Sequence, residues 1–314
     1  MKNIIITIVV ILLLGIGGYL LLGNSSETTY DGQSNQESQQ VDEQSPEQDD
    51  AEENEEEISD QDYDNQSPLS VIGKSVEGRD IKAYHYGNGE TEILFVGGIH
   101  GGYSWNTSLV AYELIDYFDE NPQVIPENVK ATVIPVLNPD GLEEIIGTAD
   151  KFTTSQASDV SLSESIPGRF NSNDVDLNRN FDCDWQSVGT WQDREVDGGN
   201  EPFSEPESQA IKNYIEGANP QAVIVWYSSA GGVYSSSCHN GVLSETRDLT
   251  NTFADASGYT PFEEFNFYEI TGDMVNWLAK EGIPAISVLL TTHEGIEWTK
   301  NRDGVEAILD YYAE

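Results

Sequence analysis

The stretch Ile93–Trp105 reads ILFVGGIHGGYSW and joins a short apolar run to a polar, glycine-rich turn. A run of this length bounded by glycines is typical of a buried β-strand. Similar β-rich runs recur at Thr132–Val136, Ala222–Trp226 and Ala285–Leu290. Amphipathic stretches typical of helices lie between or after them, at Leu109–Phe118, Glu205–Ile215, Thr246–Ala256, Gly272–Lys280 and Gly304–Tyr312. This alternation predicts an α/β domain with a mostly parallel or mixed twisted sheet and helices on both faces.

Polar residues follow the predicted strands directly. His100 comes just after the first strand, and Tyr227-Ser228-Ser229 follows the strand at Ala222. In open α/β sheets, ligands bind beyond the C-terminal ends of the strands. The sequence therefore predicts a ligand site at this edge of the sheet.

The charge of the chain excludes some classes of partner. Its 314 residues include 56 acidic and only 14 basic residues, for a formal net charge of −42. Nucleic-acid binding needs clustered Lys and Arg, so nucleic acid is not expected as a partner. Peripheral docking on anionic lipid headgroups is disfavoured for the same reason. Acidic excess is also typical of halophiles, which leaves a salt-adapted source open.

The segment Ile4–Gly23 has no charged residue and consists mainly of Ile, Leu and Val. Twenty helical residues span about 30 Å, which matches the hydrocarbon core of a bilayer. Lys2 is the only nearby cation, so residues 1–24 are expected to be a single-pass anchor in the cell membrane with the domain outside the cytoplasm. A cleaved signal peptide is the alternative, although the apolar region is long and no Ala-x-Ala site follows it.

The next segment, residues 25–67, contains almost no apolar residue. Glu27 through Asp64 includes 16 acidic residues and no Lys or Arg. Such a segment cannot bury enough surface to offset its chain entropy, so a disordered acidic stalk is expected. The remaining residues, 68–314, form the predicted globular domain.

Cys183 and Cys238 are the only cysteines of the chain. Outside the membrane they are expected to form a disulfide. Two separate buried thiols are the alternative.

One motif carries a family resemblance. Asp176–Phe181 reads DLNRNF, and with Ile72–Arg79 (IGKSVEGR) it resembles the zinc carboxypeptidases of the carboxypeptidase A type. The resemblance runs from about residue 69 to the C-terminus. It implies their α/β fold, zinc as cofactor, and a peptide with a free C-terminal carboxylate as partner.

The resemblance also assigns the substrate-holding residues. In the family an Asn-Arg pair binds the C-terminal carboxylate, which implies this role for Asn178 and Arg179. Arg169 stands where an arginine polarises the scissile carbonyl and stabilises the oxyanion. Tyr268 corresponds to the tyrosine that closes over the bound chain end. Alternatively, both arginines only form ion pairs with nearby acids, namely Asp174, Asp176 and Asp182.

The family's catalytic residues are not matched. His100 occupies the position of the first zinc ligand, but Tyr103 stands in place of the ligand Glu and Tyr227 in place of the second His. Leu289 stands where the general base Glu is expected. Because zinc sites need three protein ligands and a phenol is a poor substitute for imidazole, we expect weak or absent zinc and a catalytically degenerate member.

Several other interpretations remain open. The domain could be a non-hydrolytic binder of peptide C-termini, an active metallocarboxypeptidase with unusual ligands, or a structural remnant that binds nothing. His239, His293 and Glu294 could in principle rebuild a metal site. Ser104 lies in a weak echo of a serine nucleophile elbow, which lacks the glycine required at Asn106.

Overall fold

The computed structural model describes residues 68–313. The predicted membrane anchor (1–24) and acidic stalk (25–67) lie outside the described residues. Within 68–313, none of the helices combines the length and apolar character needed to span a bilayer.

Eight strands form one twisted sheet in the order β1-β2-β4-β3-β7-β10-β8-β9. Their bounds are β1 Leu69–Lys74, β2 Asp80–Tyr86, β3 Thr91–Val96, β4 Val129–Ile134, β7 Ala222–Ser228, β8 Gly232–Ser235, β9 Pro261–Phe262 and β10 Ala285–Leu290. The four central strands β4, β3, β7 and β10 are mutually parallel, whereas β1, β2 and β8 each pair antiparallel with a neighbour. The sheet is therefore mixed. A separate hairpin pairs β5 (Val188–Trp191) with β6 (Arg194–Asp197).

Seven α-helices surround the sheet in the described residues. They are α1 Trp105–Glu120, α2 Pro139–Ile146, α3 Thr154–Ala157, α4 Pro206–Ala218, α5 Ser244–Ser257, α6 Met274–Lys280 and α7 Trp298–Tyr311. Ile93 and Phe95 of β3 belong to one hydrophobic core with α1, α5 and α7, while Leu94 and Val96 belong to a second core with α4 and α6. Because side chains alternate along a strand, these two cores lie on opposite faces. Helices on both faces confirm the predicted fold class.

The central strands are buried on both faces and are mostly apolar, and the buried polar residues of β3 and β4 bond to one another, with Glu92 accepting from Lys130 at 3.0 Å and from Thr132 at 2.7 Å. All six residues of β4 are buried, and β7 is buried from Ala222 to Tyr227. A fully covered parallel strand reads as a continuous apolar run instead of an alternating one. The parallel register places Leu289 of β10 beside Tyr227 of β7, so both reach the same edge of the sheet.

The packing resolves one smaller prediction and the role of one histidine. Cys183 and Cys238 form a disulfide, with sulfur atoms 2.16 Å apart and Cα atoms 6.3 Å apart, and this confirms the predicted pair. His85 of β2 is buried and bonds to Ser70 Oγ at 2.8 Å and Thr132 Oγ1 at 3.1 Å. Burial lowers the pKa of His85 to about 4, so this imidazole is a neutral packing residue.

Candidate active site

A cavity of about 970 Å³ lies beyond the C-terminal ends of the central strands. Of the eight residues predicted for the zinc and substrate sites, all but Arg179 line its wall, namely His100, Tyr103, Arg169, Asn178, Tyr227, Tyr268 and Leu289. Three of them follow or end strands: His100 comes after β3, whereas Tyr227 and Leu289 are near the ends of β7 and β10. The structure thus brings together residues that are far apart in the chain, as the strand order requires.

Arg169 is bound to a resident carboxylate. Its Nε donates to Asp176 Oδ2 at 2.9 Å, and its Nη2 lies 2.8 Å from the same oxygen. Its guanidinium carbon lies 4.3 Å from the ring centre of Trp191. Arg169 and Asp176 are 2% and 0% exposed, so this is a buried ion pair stacked on an indole. For Arg169, the ion pair expected by the alternative interpretation is present.

Arg179 has a different environment. Its Nε and Nη2 donate to the carbonyl oxygen of Thr190 at 3.1 and 2.6 Å, and its Nη1 donates to the carbonyl oxygen of Asn178 at 2.6 Å. Its side chain forms no ion pair within 4.0 Å anywhere in residues 68–313. Arg179 is 1% exposed, and its guanidinium carbon lies 6.0 Å from the ring centre of Tyr268. It is a buried cation held by main-chain dipoles behind a half-buried tyrosine.

The local fold explains how the two arginines separate. A short 3₁₀ turn, Leu177–Arg179, begins after Asp176, whose carboxylate accepts a hydrogen bond from the main-chain N–H of Asn178 at 3.1 Å. Asp176 therefore fixes the turn and also neutralises Arg169. The turn directs Arg179 toward the hairpin strand β5, where Thr190 supplies its acceptor.

Asn178 is oriented by its neighbours. Its Oδ1 accepts hydrogen bonds from the hydroxyl of Tyr227 at 3.3 Å and from the main-chain N–H of Met274 at 3.2 Å. This orientation leaves the amide NH₂ group as a donor at the cavity wall. A donor beside Arg179 suits a bound carboxylate.

His100 is buried without a hydrogen-bond partner. It is 5% exposed, and neither ring nitrogen forms a hydrogen bond with any described residue. Its Nε2 lies 3.7 Å from Asp176 Oδ1. Burial lowers the pKa of His100 well below its ordinary value, and the charges of Arg169 and Arg179 lower it further. The imidazole is therefore neutral at physiological pH.

The side chains around His100 do not fit a three-ligand zinc site. Burial raises the pKa of Tyr103, and raises that of Tyr227 well above its ordinary value, so both phenols keep their protons. The Tyr227 hydroxyl is also engaged with Asn178. Two guanidinium groups nearby oppose a further cation. Leu289 offers no acid–base group.

The predicted replacement ligands do not assemble either. Within residues 68–313 the only group of three candidate ligands is Cys183, Asp184 and Cys238, and its sulfur atoms are joined in the disulfide. His239 lies on the surface and pairs with Asp184 at 2.7 Å. A disulfide sulfur has no thiolate to offer a metal.

His293 lines the cavity but makes other contacts. Its Nδ1 lies 3.2 Å from Ser228 Oγ, and its ring packs edge-on against Tyr103 with centroids 4.7 Å apart. Burial lowers the pKa of His293 to about 4, and Arg169 adds to this effect. Glu294, its neighbour in the chain, is exposed. Ser104 is 1% exposed and its hydroxyl has no partner among the described residues, so no base contacts it.

Two residues of the site have no counterpart in the sequence predictions. Trp191 stacks on Arg169 from a hairpin that carries no clear signal in the sequence. Asp273 lines the cavity and caps α6, accepting the main-chain N–H of Asn276 at 3.3 Å. The second residue could have been found, because an Asp just before an amphipathic stretch is a typical N-cap.

Comparison with known proteins places this architecture in a family. Residues 56–296 match the family model described as zinc carboxypeptidase. The chain is 34% identical over 133 residues to human (Homo sapiens) carboxypeptidase D, covering 38% of this chain and 9% of that protein. It is 26% identical over 196 residues to the carboxypeptidase N catalytic chain of Mus musculus, covering 57% of this chain and 40% of that protein. The chain thus spans less than half the length of these curated relatives.

Solved structures support the same fold. Murein-tripeptide amidase MpaA from Escherichia coli O157 is similar with a TM-score of 0.54 and 17% identity, covering 79% of this chain and 92% of that one. Carboxypeptidase A from Helicoverpa armigera is similar with a TM-score of 0.55 and 17% identity, covering 78% and 66%. At these identities the likeness shows the fold alone. Together with the family match, it establishes that this chain belongs to the zinc carboxypeptidase family.

Proposed function

We propose that the domain captures peptides by their free C-terminal carboxylate and does not carry out zinc-dependent hydrolysis. The observation that carries this proposal is the environment of Arg179. Its guanidinium is 1% exposed and bonded only to main-chain carbonyl oxygens. A buried cation with no carboxylate in contact is costly, and a ligand carboxylate would relieve that cost.

The geometry suits a carboxylate. A guanidinium binds a carboxylate through two parallel hydrogen bonds. The NH₂ group of Asn178 adds a donor from the preceding residue. Tyr268 is half-buried over Arg179, so the carboxylate reaches the guanidinium when this ring moves aside.

We propose the absence of zinc-dependent hydrolysis because of the side chains available to bind the metal. One neutral imidazole and two protonated phenols cannot replace the three ligands of a catalytic zinc. Without the metal, a water molecule keeps its high pKa, and Leu289 cannot take its proton. Arg169 is held by Asp176, so its charge is already balanced in the absence of a substrate.

The same proposal includes a location. The apolar segment 4–23 and the acidic segment 25–67 would tether the domain to the outer side of the cell membrane. The disulfide agrees with an oxidising compartment. The peptides captured would then be extracytoplasmic.

Titration calorimetry with matched peptides tests the binding proposal. The full chain is titrated with N-acetyl-trialanine carrying either a free or an amidated C-terminus. We expect the free acid to bind and the amide to bind much more weakly, because only the acid offers a carboxylate to Arg179. Equal affinity for the two peptides would disprove capture through the carboxylate.

A second function, active metallocarboxypeptidase, is favoured by one observation. Both ring nitrogens of His100 are buried and unpartnered among the described residues, as they would be in a ligand awaiting its metal. Elemental analysis after incubation with zinc separates the two functions. Stoichiometric zinc together with release of C-terminal residues would replace the binding proposal by this one. A structural remnant would bind neither zinc nor peptide.

A further inference from the structure

Asp273 lines the same cavity as Asn178 and Tyr268, two of the residues proposed to bind the carboxylate. It lines the wall, is 7% exposed and stands immediately before α6. One of its oxygens accepts the main-chain N–H of Asn276 at 3.3 Å. Within residues 68–313 its carboxylate has no ion-pair partner within 4.0 Å, and Arg179 is the cation whose field reaches it. Arg179 in turn has no carboxylate in contact. The acid at the cavity wall thus lies beside the turn of Arg179, since the main-chain N–H of the next residue, Met274, donates to Asn178 Oδ1 at 3.2 Å, but it forms no ion pair with that guanidinium.

We propose that Asp273 competes electrostatically with a peptide C-terminus for Arg179, so that capture of the C-terminus takes up a proton and is tightest when Asp273 is neutral. The inference rests on the proposed function, because it concerns the affinity of that same site. Its physical basis is that two carboxylates near one guanidinium repel each other.

Asp273 is the buried acid of the cavity, whereas the other acids that line it, Asp184, Asp193, Glu264 and Glu269, are exposed. The guanidinium whose charge acts on Asp273 belongs to Arg179, in the turn Leu177–Arg179. Tyr227 faces Asp273 from β7, and burial together with the charge of Asp273 raises the pKa of that phenol well above its ordinary value. Asn276, on its own helix, does not titrate.

The histidines near the cavity would not produce the pH dependence expected from Asp273. The pKa values of the buried His100 and His293 are lowered, the latter to about 4, so both stay neutral as Asp273 titrates. His239 lies on the exposed rim and pairs with Asp184. It therefore needs its own control variant.

The direction of the pH effect follows from linkage. Burial raises the pKa of Asp273 from 3.8 to about 6, against the opposing charge of Arg179. A bound peptide carboxylate raises this pKa further, because it adds a second negative charge nearby. Affinity therefore increases as pH falls from the slightly alkaline range to about 6 and then levels off. It declines again only when the peptide's own carboxyl group, with a pKa of roughly 3.5, is protonated.

The test is calorimetry of the full chain with free-acid N-acetyl-trialanine across this pH range. Each pH is measured in two buffers of different ionisation enthalpy, which reports the protons taken up. For the wild type we expect about a tenfold gain in affinity toward acid pH, the equivalent of one unit of pKa change on binding. We expect Asp273→Asn to bind at neutral pH about as tightly as the wild type does at acid pH, with a flat profile.

Asn preserves the helix cap, so Asp273→Asn is expected to fold, and its melting temperature checks this. Glu269→Gln, an acid-to-amide change on the exposed rim, and His239→Gln are the matched controls and should keep the wild-type pH profile. An unchanged profile in Asp273→Asn, or weaker binding at every pH, overturns this inference while leaving carboxylate capture intact. No binding by the wild type at any pH overturns the proposed function and this inference with it.

Discussion

The two arginines predicted for the site, Arg169 and Arg179, come from one short segment and have opposite surroundings. Arg169 is paired with Asp176 and stacked on Trp191, so its charge is balanced inside the protein. Arg179 is equally buried but is held only by carbonyl oxygens. The difference teaches that burial alone does not identify a binding arginine. What distinguishes a binding residue is a buried charge that the protein leaves without a counter-ion.

The same contrast divides the cavity into two sides. The side formed by Arg179, Asn178 and Tyr268 offers donors for a carboxylate. The opposite side, around His100, offers an imidazole next to protonated phenols and a leucine. Under the proposed function, the first side binds the peptide and the second lacks the groups for cleaving it.

Breaking the Arg169 ion pair should have the largest effect. Asp176→Asn removes a fully buried charge and leaves Arg169 unpaired, so we expect a loss of about 3 to 5 kcal/mol in the free energy of unfolding. Urea denaturation of the full chain measures it. Asp184→Asn, at an exposed ion pair, is the matched control and should cost less than about 1 kcal/mol. Equal, small losses in both variants would show that the Arg169 pair is not structural.

Removing the disulfide should lower the free energy of unfolding, because this bond holds the segment that follows Arg179. Cys183 follows the turn that carries Arg179, and its bond to Cys238 spans 55 residues of sequence. Loop-closure entropy predicts a loss of about 4 kcal/mol in unfolding free energy for Cys238→Ser. The wild type treated with a reductant should unfold at the same urea concentration as this variant. Unchanged stability in both would mean that the disulfide adds nothing to the fold.

Replacing Arg179 should affect binding. We expect Arg179→Met to lose about 3 kcal/mol of affinity for a free-acid peptide, roughly a hundredfold in Kd, because a buried charged contact is removed. Affinity for the amidated peptide should be unchanged, and calorimetry compares the two. Arg302→Met, at a surface arginine of α7, is the control. If both variants bind like the wild type, Arg179 is not the anchor.

Restoring a single catalytic residue should have the smallest effect. Leu289→Glu reintroduces an acid at the position of the general base, but it supplies no metal ligand. We therefore expect no release of C-terminal residues from peptides, with or without added zinc. Appearance of zinc-dependent activity would show that the cavity holds the metal after all.

The sequence predicted much of the fold. Apolar runs at β3, β4, β7 and β10 and amphipathic stretches at α1, α4, α5 and α7 were readable, because hydrophobic periodicity reports burial. The short strands β8 and β9 and the hairpin of β5 and β6 were not. Their residues form strands through pairing with distant segments, which leaves little local signal.

The sequence predicted which residues belong to the site, but only part of what each of them does. Motif order along the chain was enough to name His100, Arg169, Asn178, Arg179 and Tyr268. It did not show that one arginine is paired with a carboxylate and the other is not. Asp174, Asp176 and Asp182 were equal candidates as partners by sequence, yet Asp176 pairs with Arg169 and Asp182 with Lys280.

By itself, the sequence determined the α/β class and the family motif, since these depend on local pattern, whereas the pairing of the two cysteines was an expectation with an open alternative. Only the tertiary structure decided that Arg179 donates to the Thr190 carbonyl oxygen, and that Asp273 lines the cavity without forming an ion pair with Arg179. Charge interactions in a protein interior change steeply over a few ångströms, and those distances are fixed by segments that the chain folds together from far apart.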